Sequence, residues 1–125
     1  MMVADTDVLI DFLNGKGPAA DRIALELSAR LTTTAITRFE LLSGAKSPAT
    51  LARVKRLLAA IGTLELDADS VDQAAQIRRE LEKSGARIGM ADSLIAGIVV
   101  RRRGILLTRN RRHFEKVPDL HLGTI

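Results

Sequence analysis

Asp5 ends a short apolar run, Glu40 sits in Thr37-Arg38-Phe39-Glu40, Asp92 interrupts an otherwise apolar stretch, and Asn110 follows Ile105-Leu106-Leu107-Thr108. Carboxylates held within about 4 to 6 Å of one another repel and raise one another's pKa, so such a cluster is tolerable mainly when a cation neutralises it. The chain has no cysteine, so an ion must be held by oxygen or imidazole, which favours a hard cation such as Mg2+ or Mn2+. These ions keep several waters and leave room for phosphate oxygens, and the chemistry that follows is phosphodiester hydrolysis by a metal-activated water. Asp5, Glu40, Asp92 and Asn110 could all converge on one such pocket. Asn110, Thr6 and Thr108 are expected to assist by holding water, although each could instead satisfy local backbone groups.

Each acid also has a purely structural reading. Asp5 could accept from loop amides, Asp7 is expected to be the N-cap of the helical pattern that begins at Val8, and Asp11 reads as a solvated helix-face charge. Glu40 fits the outer face of an amphipathic helix equally well. As a first-turn carboxylate, Asp92 would gain about 0.3 to 1 kcal/mol from the helix dipole, which is small beside placing a charge in so apolar a segment. Arg101-Arg102-Arg103 and Arg109, Arg111 and Arg112 flank the last two candidate segments, where guanidinium groups could grip phosphates. The histidines are His113 and His121. Nothing in the sequence orients either, which sets aside an acid–base mechanism run by a histidine pair.

Alternating strands and helices must position these residues. Met2 to Ala4 reads as a strand followed by a helix stopped at Gly15. Pro18 suits the first turn of a second helix, and Leu31 to Ile36 is the next strand. Helices are then expected from Thr37 to Gly44 and from Pro48 to Ile61, followed by a strand over Thr63 to Leu66. A long helix over Asp69 to Ser84 should turn Val71, Ala74, Ala75, Ile77 and Leu81 inward. Ile88 to Val100 is a helix buried by its neighbours, Ile105 to Thr108 a buried parallel strand, and Leu120 to Leu122 an edge strand, with a short helix around Phe114. The pattern implies one domain over residues 1–125: a three-layer α/β/α unit whose mainly parallel sheet of four to five strands carries the site at its carboxyl ends.

The 125 residues are 46% hydrophobic, enough for one core. No run reaches the roughly 18 apolar residues of a membrane span, and Asp5 and Asp7 precede any signal-peptide core, so a soluble cytoplasmic protein is expected. A net charge of +4 suits a phosphate-rich partner, while an aromatic content of 2% leaves little for base stacking, so RNA would be held by its backbone.

Val3-Ala4-Asp5-Thr6-Asp7-Val8-Leu9-Ile10, Thr37-Arg38-Phe39-Glu40-Leu41-Leu42-Ser43-Gly44, Ala91-Asp92-Ser93-Leu94-Ile95-Ala96 and Leu107-Thr108-Arg109-Asn110-Arg111-Arg112-His113-Phe114 resemble, in order and spacing, the motifs of VapC-type PIN-domain toxins over almost the whole chain. The resemblance implies a Mg2+- or Mn2+-dependent endoribonuclease, the toxin of a type II toxin–antitoxin pair, with Asp5, Glu40 and Asp92 on the metal. It further implies a homodimer neutralised by a VapB-like antitoxin that covers the active site. Asn110 stands where some members carry a fourth acid, and Asp7 where Asn or Ser is common.

Three other readings compete. Asp5 and Asp7 could be the nucleophile and general acid of a haloacid-dehalogenase-like phosphatase, but the chain lacks room for a cap and a convincing downstream lysine. A receiver domain would need a phosphoacceptor after the middle strand, where Asp67 and Asp69 fit poorly. A binding-only RNA module, such as a degenerate PIN domain, is disfavoured by the scarcity of aromatics.

Overall fold

The computed structural model describes residues 1–125 and contains one five-stranded sheet with seven helices. The strands are β1 (Met2–Ala4), β2 (Thr32–Thr34), β3 (Gly62–Leu64), β4 (Ile105–Leu107) and β5 (His121–Leu122), in spatial order β3-β2-β1-β4-β5. Every neighbouring pair is parallel, including the edge strand β5.

Successive strand residues point to opposite faces, and here both faces are dry. Ala4 and Leu107 join one core with Leu9, Ile23 and Leu57. That layer is built by α1 (Thr6–Asn14), α2 (Gly17–Leu27), α3 (Ala35–Gly44) and α4 (Pro48–Ala60). Val3 and Leu106 join the other core with Ile77, Ile95, Val99 and Phe114, from α5 (Ala68–Lys83), α6 (Met90–Arg101) and α7 (Arg111–Phe114). The expected three-layer α/β/α architecture is therefore observed.

The chain winds outward from β1 to β3 and then returns to β4 on the other side of β1. After β1 it enters α1 in the first layer, and after β4 it enters α7 in the second. The two connections leave in opposite directions and open a crevice at the carboxyl ends of β1 and β4, where such sheets bind ligands. Asp5 and Thr108 are the first residues past those two ends.

Several boundaries differ from the sequence expectation for identifiable reasons. β2 stops at Thr34 rather than reaching Ile36, because the Thr34 hydroxyl accepts from the Thr37 amide and starts α3 at Ala35. β3 runs from Gly62 to Leu64, in register with Thr32 to Thr34, instead of Thr63 to Leu66. The N-cap of α1 is Asp5, not Asp7: its carboxylate accepts from the Thr6 amide at 2.8 Å. Along α5 the buried stripe is Ser70, Ala74, Ile77 and Leu81, so Val71 and Ala75 face outward, contrary to expectation. No helix is long and apolar enough to cross a membrane.

Candidate active site

Asp5 is almost completely buried, with 4% of its surface exposed. Besides capping α1, it accepts a hydrogen bond at Oδ2 from the Thr108 hydroxyl at 2.7 Å, which ties the end of β1 to the end of β4. The Thr108 oxygen in turn accepts from the Asn110 amide at 3.0 Å. With its single proton committed to Asp5, Thr108 is a fixed donor rather than a free rotor.

Asp7 lies one step further along α1. Its Oδ2 accepts from the Arg109 amide at 3.0 Å and sits 3.4 Å from the Thr108 hydroxyl, while its Oδ1 is buried without a partner. Asp7 is thus part of the acidic cluster, a role missed when it is read as a cap; the Asp-Thr-Asp run directly after a strand was the available signal. Burial pushes the Asp5 carboxyl up to about 6; the Thr108 hydrogen bond opposes this, and the charges of Asp7 and Asp92 add to it. Asp7 is also raised, chiefly by burial.

Glu40, on the exposed side of α3, joins through Thr6: the Thr6 hydroxyl donates to Glu40 Oε1 at 2.7 Å. Since that uses its only proton, the Thr37 hydroxyl, 3.1 Å away, donates back to Thr6. Asp92 occupies the first turn of α6, close enough to act on the Asp5 charge. Its Oδ2 lies 3.0 Å from His113 Nδ1, so the sequence argument that nothing orients this histidine fails. The only sequence sign was the placement of His113 three residues after Asn110. Asn110 takes part through its backbone; its side chain is exposed and does not cap α7.

The arginines divide sharply. Arg101, Arg102 and Arg103 precede β4 and lie at the amino end of the sheet, away from Asp5, with Arg101 paired to Asp69 at 3.1 Å. Arg109 Nε sits 2.6 Å from Asp11 Oδ2, so Asp11 is ion-paired rather than the solvated charge expected. Arg111 donates to the Gly123 carbonyl at 2.8 Å. Arg112 is the exposed arginine of α7 without such a tie. Cavities flank the cluster, one of about 230 Å³ beside Glu40 and one of about 440 Å³ bordered by Thr108, Arg109 and Arg111.

Asp5 and Asp7 both meet the Thr108 hydroxyl, Glu40 is linked by the Thr6 hydroxyl, and Asp92 acts through its field. In these side-chain conformations no three His, Asp or Glu groups converge closely enough to hold an ion; Glu40 accepts from Thr6, and Asp92 meets His113 through one oxygen. The donor set nevertheless suits a hard divalent cation. It consists of carboxylates and hydroxyls, one buried carboxylate oxygen lacks a partner, and burial, with the charges of Asp7 and Asp92, pushes the central acid toward its neutral form.

A parallel sheet with an acidic crevice at its β1/β4 switch defines a candidate hydrolase of phosphate esters, and known proteins agree. The family model of the PIN domain matches residues 2–120. Over 121 residues, 93% of this chain and 91% of the relative, the chain is 32% identical to the tRNA(fMet)-specific endonuclease VapC of Shigella flexneri. It is 31% identical over 123 residues, 96% of this chain and 97% of the relative, to ribonuclease VapC19 of Mycobacterium tuberculosis. Among solved structures, DNA-bound VapBC from Salmonella typhimurium superimposes with a TM-score of 0.85 at 31% identity, covering 98% of this chain and 96% of that one. The chain belongs to the PIN domain family, among the VapC ribonucleases of toxin–antitoxin pairs. The phosphatase and receiver readings of the early aspartates lapse with that assignment, and Asp67 serves as the N-cap of α5.

Proposed function

We propose that this protein is a metal-dependent endoribonuclease toxin that hydrolyses RNA phosphodiester bonds at the Asp5 crevice. The observation that carries the reading is the buried Asp5 carboxylate, clamped by Thr108 at the junction of β1 and β4 and crowded by Asp7 and Asp92. Asp5, Glu40 and Asp92 would hold Mg2+ or Mn2+, Glu40 turning in from Thr6 and Asp92 offering the carboxylate oxygen that His113 does not engage. Such an ion, when bound, supplies positive charge that offsets the carboxylates and polarises the phosphodiester.

The chain's own groups do the positioning. The Thr6 amide and the Thr108 hydroxyl engage one Asp5 oxygen each and hold its plane. The Thr6 hydroxyl, steadied by Thr37, keeps Glu40 at the crevice mouth. Arg112 is the cation free to meet a phosphate, since Arg109 and Arg111 are engaged within the fold. The relatives solved as VapBC complexes support a VapB-like antitoxin as the regulating partner. A homodimer and a cytoplasmic location belong to the same reading.

The test is incubation of total cellular RNA with purified protein in Mg2+, in Mn2+ and in EDTA, with Asp5→Asn alongside and fragment ends sequenced. Discrete metal-dependent cuts that vanish in the variant, with circular dichroism unchanged, are expected. Binding without cleavage by antitoxin-free protein would instead identify a degenerate, binding-only PIN domain.

A further inference from the structure

We propose that His113 is a positioning residue of this site: its ring turns the Asp92 carboxylate so that one oxygen is presented to the cation. The inference rests on the metal-dependent reading and extends it to a residue outside the acidic set. A carboxylate only accepts, so the 3.0 Å contact places a proton on His113 Nδ1, and the bond holds whether the ring is neutral or charged. It engages Asp92 Oδ2 and leaves Oδ1 for an ion, as hydrogen bonds to metal-ligating carboxylates generally do.

The ring is not casually placed. Its neighbour Phe114 is fully buried in the core cluster that contains Ile95, Ala96 and Val99, so α7 is anchored against the helix that carries Asp92. The His113 amide also donates to the Asn110 carbonyl at 3.0 Å, closing the turn that delivers the ring. At the same time the pair is open to solvent, with side-chain exposures of 59% for His113 and 27% for Asp92. An exposed contact of this kind contributes little to stability, so its effect falls on orientation and can be separated from folding.

The experiment is Mn2+ titration of the purified full chain, read by the electron paramagnetic resonance of free Mn2+, in wild type, His113→Ala, His113→Asn and His113→Gln. The melting temperature of each in EDTA is the fold control. Mn2+ binding is expected to weaken about tenfold in His113→Ala with the melting temperature unchanged. His113→Asn, whose amide N–H falls where Nδ1 was, should recover most of the affinity. His113→Gln, with its N–H at the Nε2 position, should not. In wild type, 15N spectra of the ring should report a protonated Nδ1. Wild-type affinity in His113→Ala, or equal behaviour of Asn and Gln, overturns the positioning role and leaves the nuclease reading standing. A wild-type protein that binds no Mn2+ overturns both.

Discussion

Burial moves the Asp5 carboxyl from 3.8 up to about 6, and the direction of that shift sets its pH dependence. The folded state prefers the neutral acid, so the stabilisation from Asp5 is complete below pH 4 and disappears as pH rises through about 6. The difference amounts to about 3 kcal/mol at neutral pH, in the destabilising sense for the metal-free protein. Asp5→Asn removes that charge but keeps only one of the two acceptors used by Thr6 and Thr108, an offset of about 1 kcal/mol. In urea unfolding in EDTA, the variant should therefore exceed wild type by about 2 kcal/mol at pH 7.5, with the advantage gone at pH 4. An equal difference at both pH values would show that desolvation does not govern this acid. Thr108→Val strands Asp5 Oδ2 and the Asn110 amide and should cost about 1 to 3 kcal/mol, whereas Thr108→Ser should restore both stability and cleavage; chemical denaturation beside the RNA assay separates the two effects.

The helix pair α5 and α6 meets at Gly97, where a β-carbon would come within 2.6 Å of the Ser70 carbonyl and 2.7 Å of the Ala74 side chain. Those are backbone and near-backbone atoms with no room to yield, and α6 is the helix that carries Asp92. Gly97→Ala should destabilise by about 1 to 3 kcal/mol and lower activity by shifting α6. Gly44→Ala, in a spot where a β-carbon meets nothing, is the control and should be neutral or stabilising by up to about 1 kcal/mol. Thermal unfolding of the two variants checks the contrast; a Gly97→Ala protein as stable as Gly44→Ala would mean that the helices do not pack this closely. The outward-facing Val71 and Ala75 follow from the same packing, because the residues that fit beneath α6 are the small Ser70 and Ala74.

For the molecule as a whole, the proposed metal-dependent reading predicts that stability responds to divalent cations. A cation that binds only the folded protein adds about 2.7 kcal/mol at a concentration one hundred times its Kd. Because Asp5 must be ionised to bind it, the rise in melting temperature with Mn2+ should be large at pH 7.5 and small at pH 5, and should be lost in Asp5→Asn. A shift of equal size at both pH values would locate the ion somewhere other than this crevice.

Hydrophobic pattern alone determined the succession of strands and helices, because the periods of 2 and 3.6 are local properties of the chain. It also placed Asp5 and Thr108 at strand ends and marked Asp92 as a charge out of place. Element ends were less legible, since the hydroxyl of Thr34 and the register of β3 against β2 decide them, and neither is visible in hydropathy. Only the tertiary structure decided which polar groups touch. The order β3-β2-β1-β4-β5 brings residues 5 and 108 together across nearly the full length of the sequence. It makes Asp7 a member of the cluster, removes Arg101 to Arg103 from it, and sets His113 against Asp92. Such contacts join segments far apart in the chain, and their geometry comes from how the sheet is wound, which no local window of sequence records.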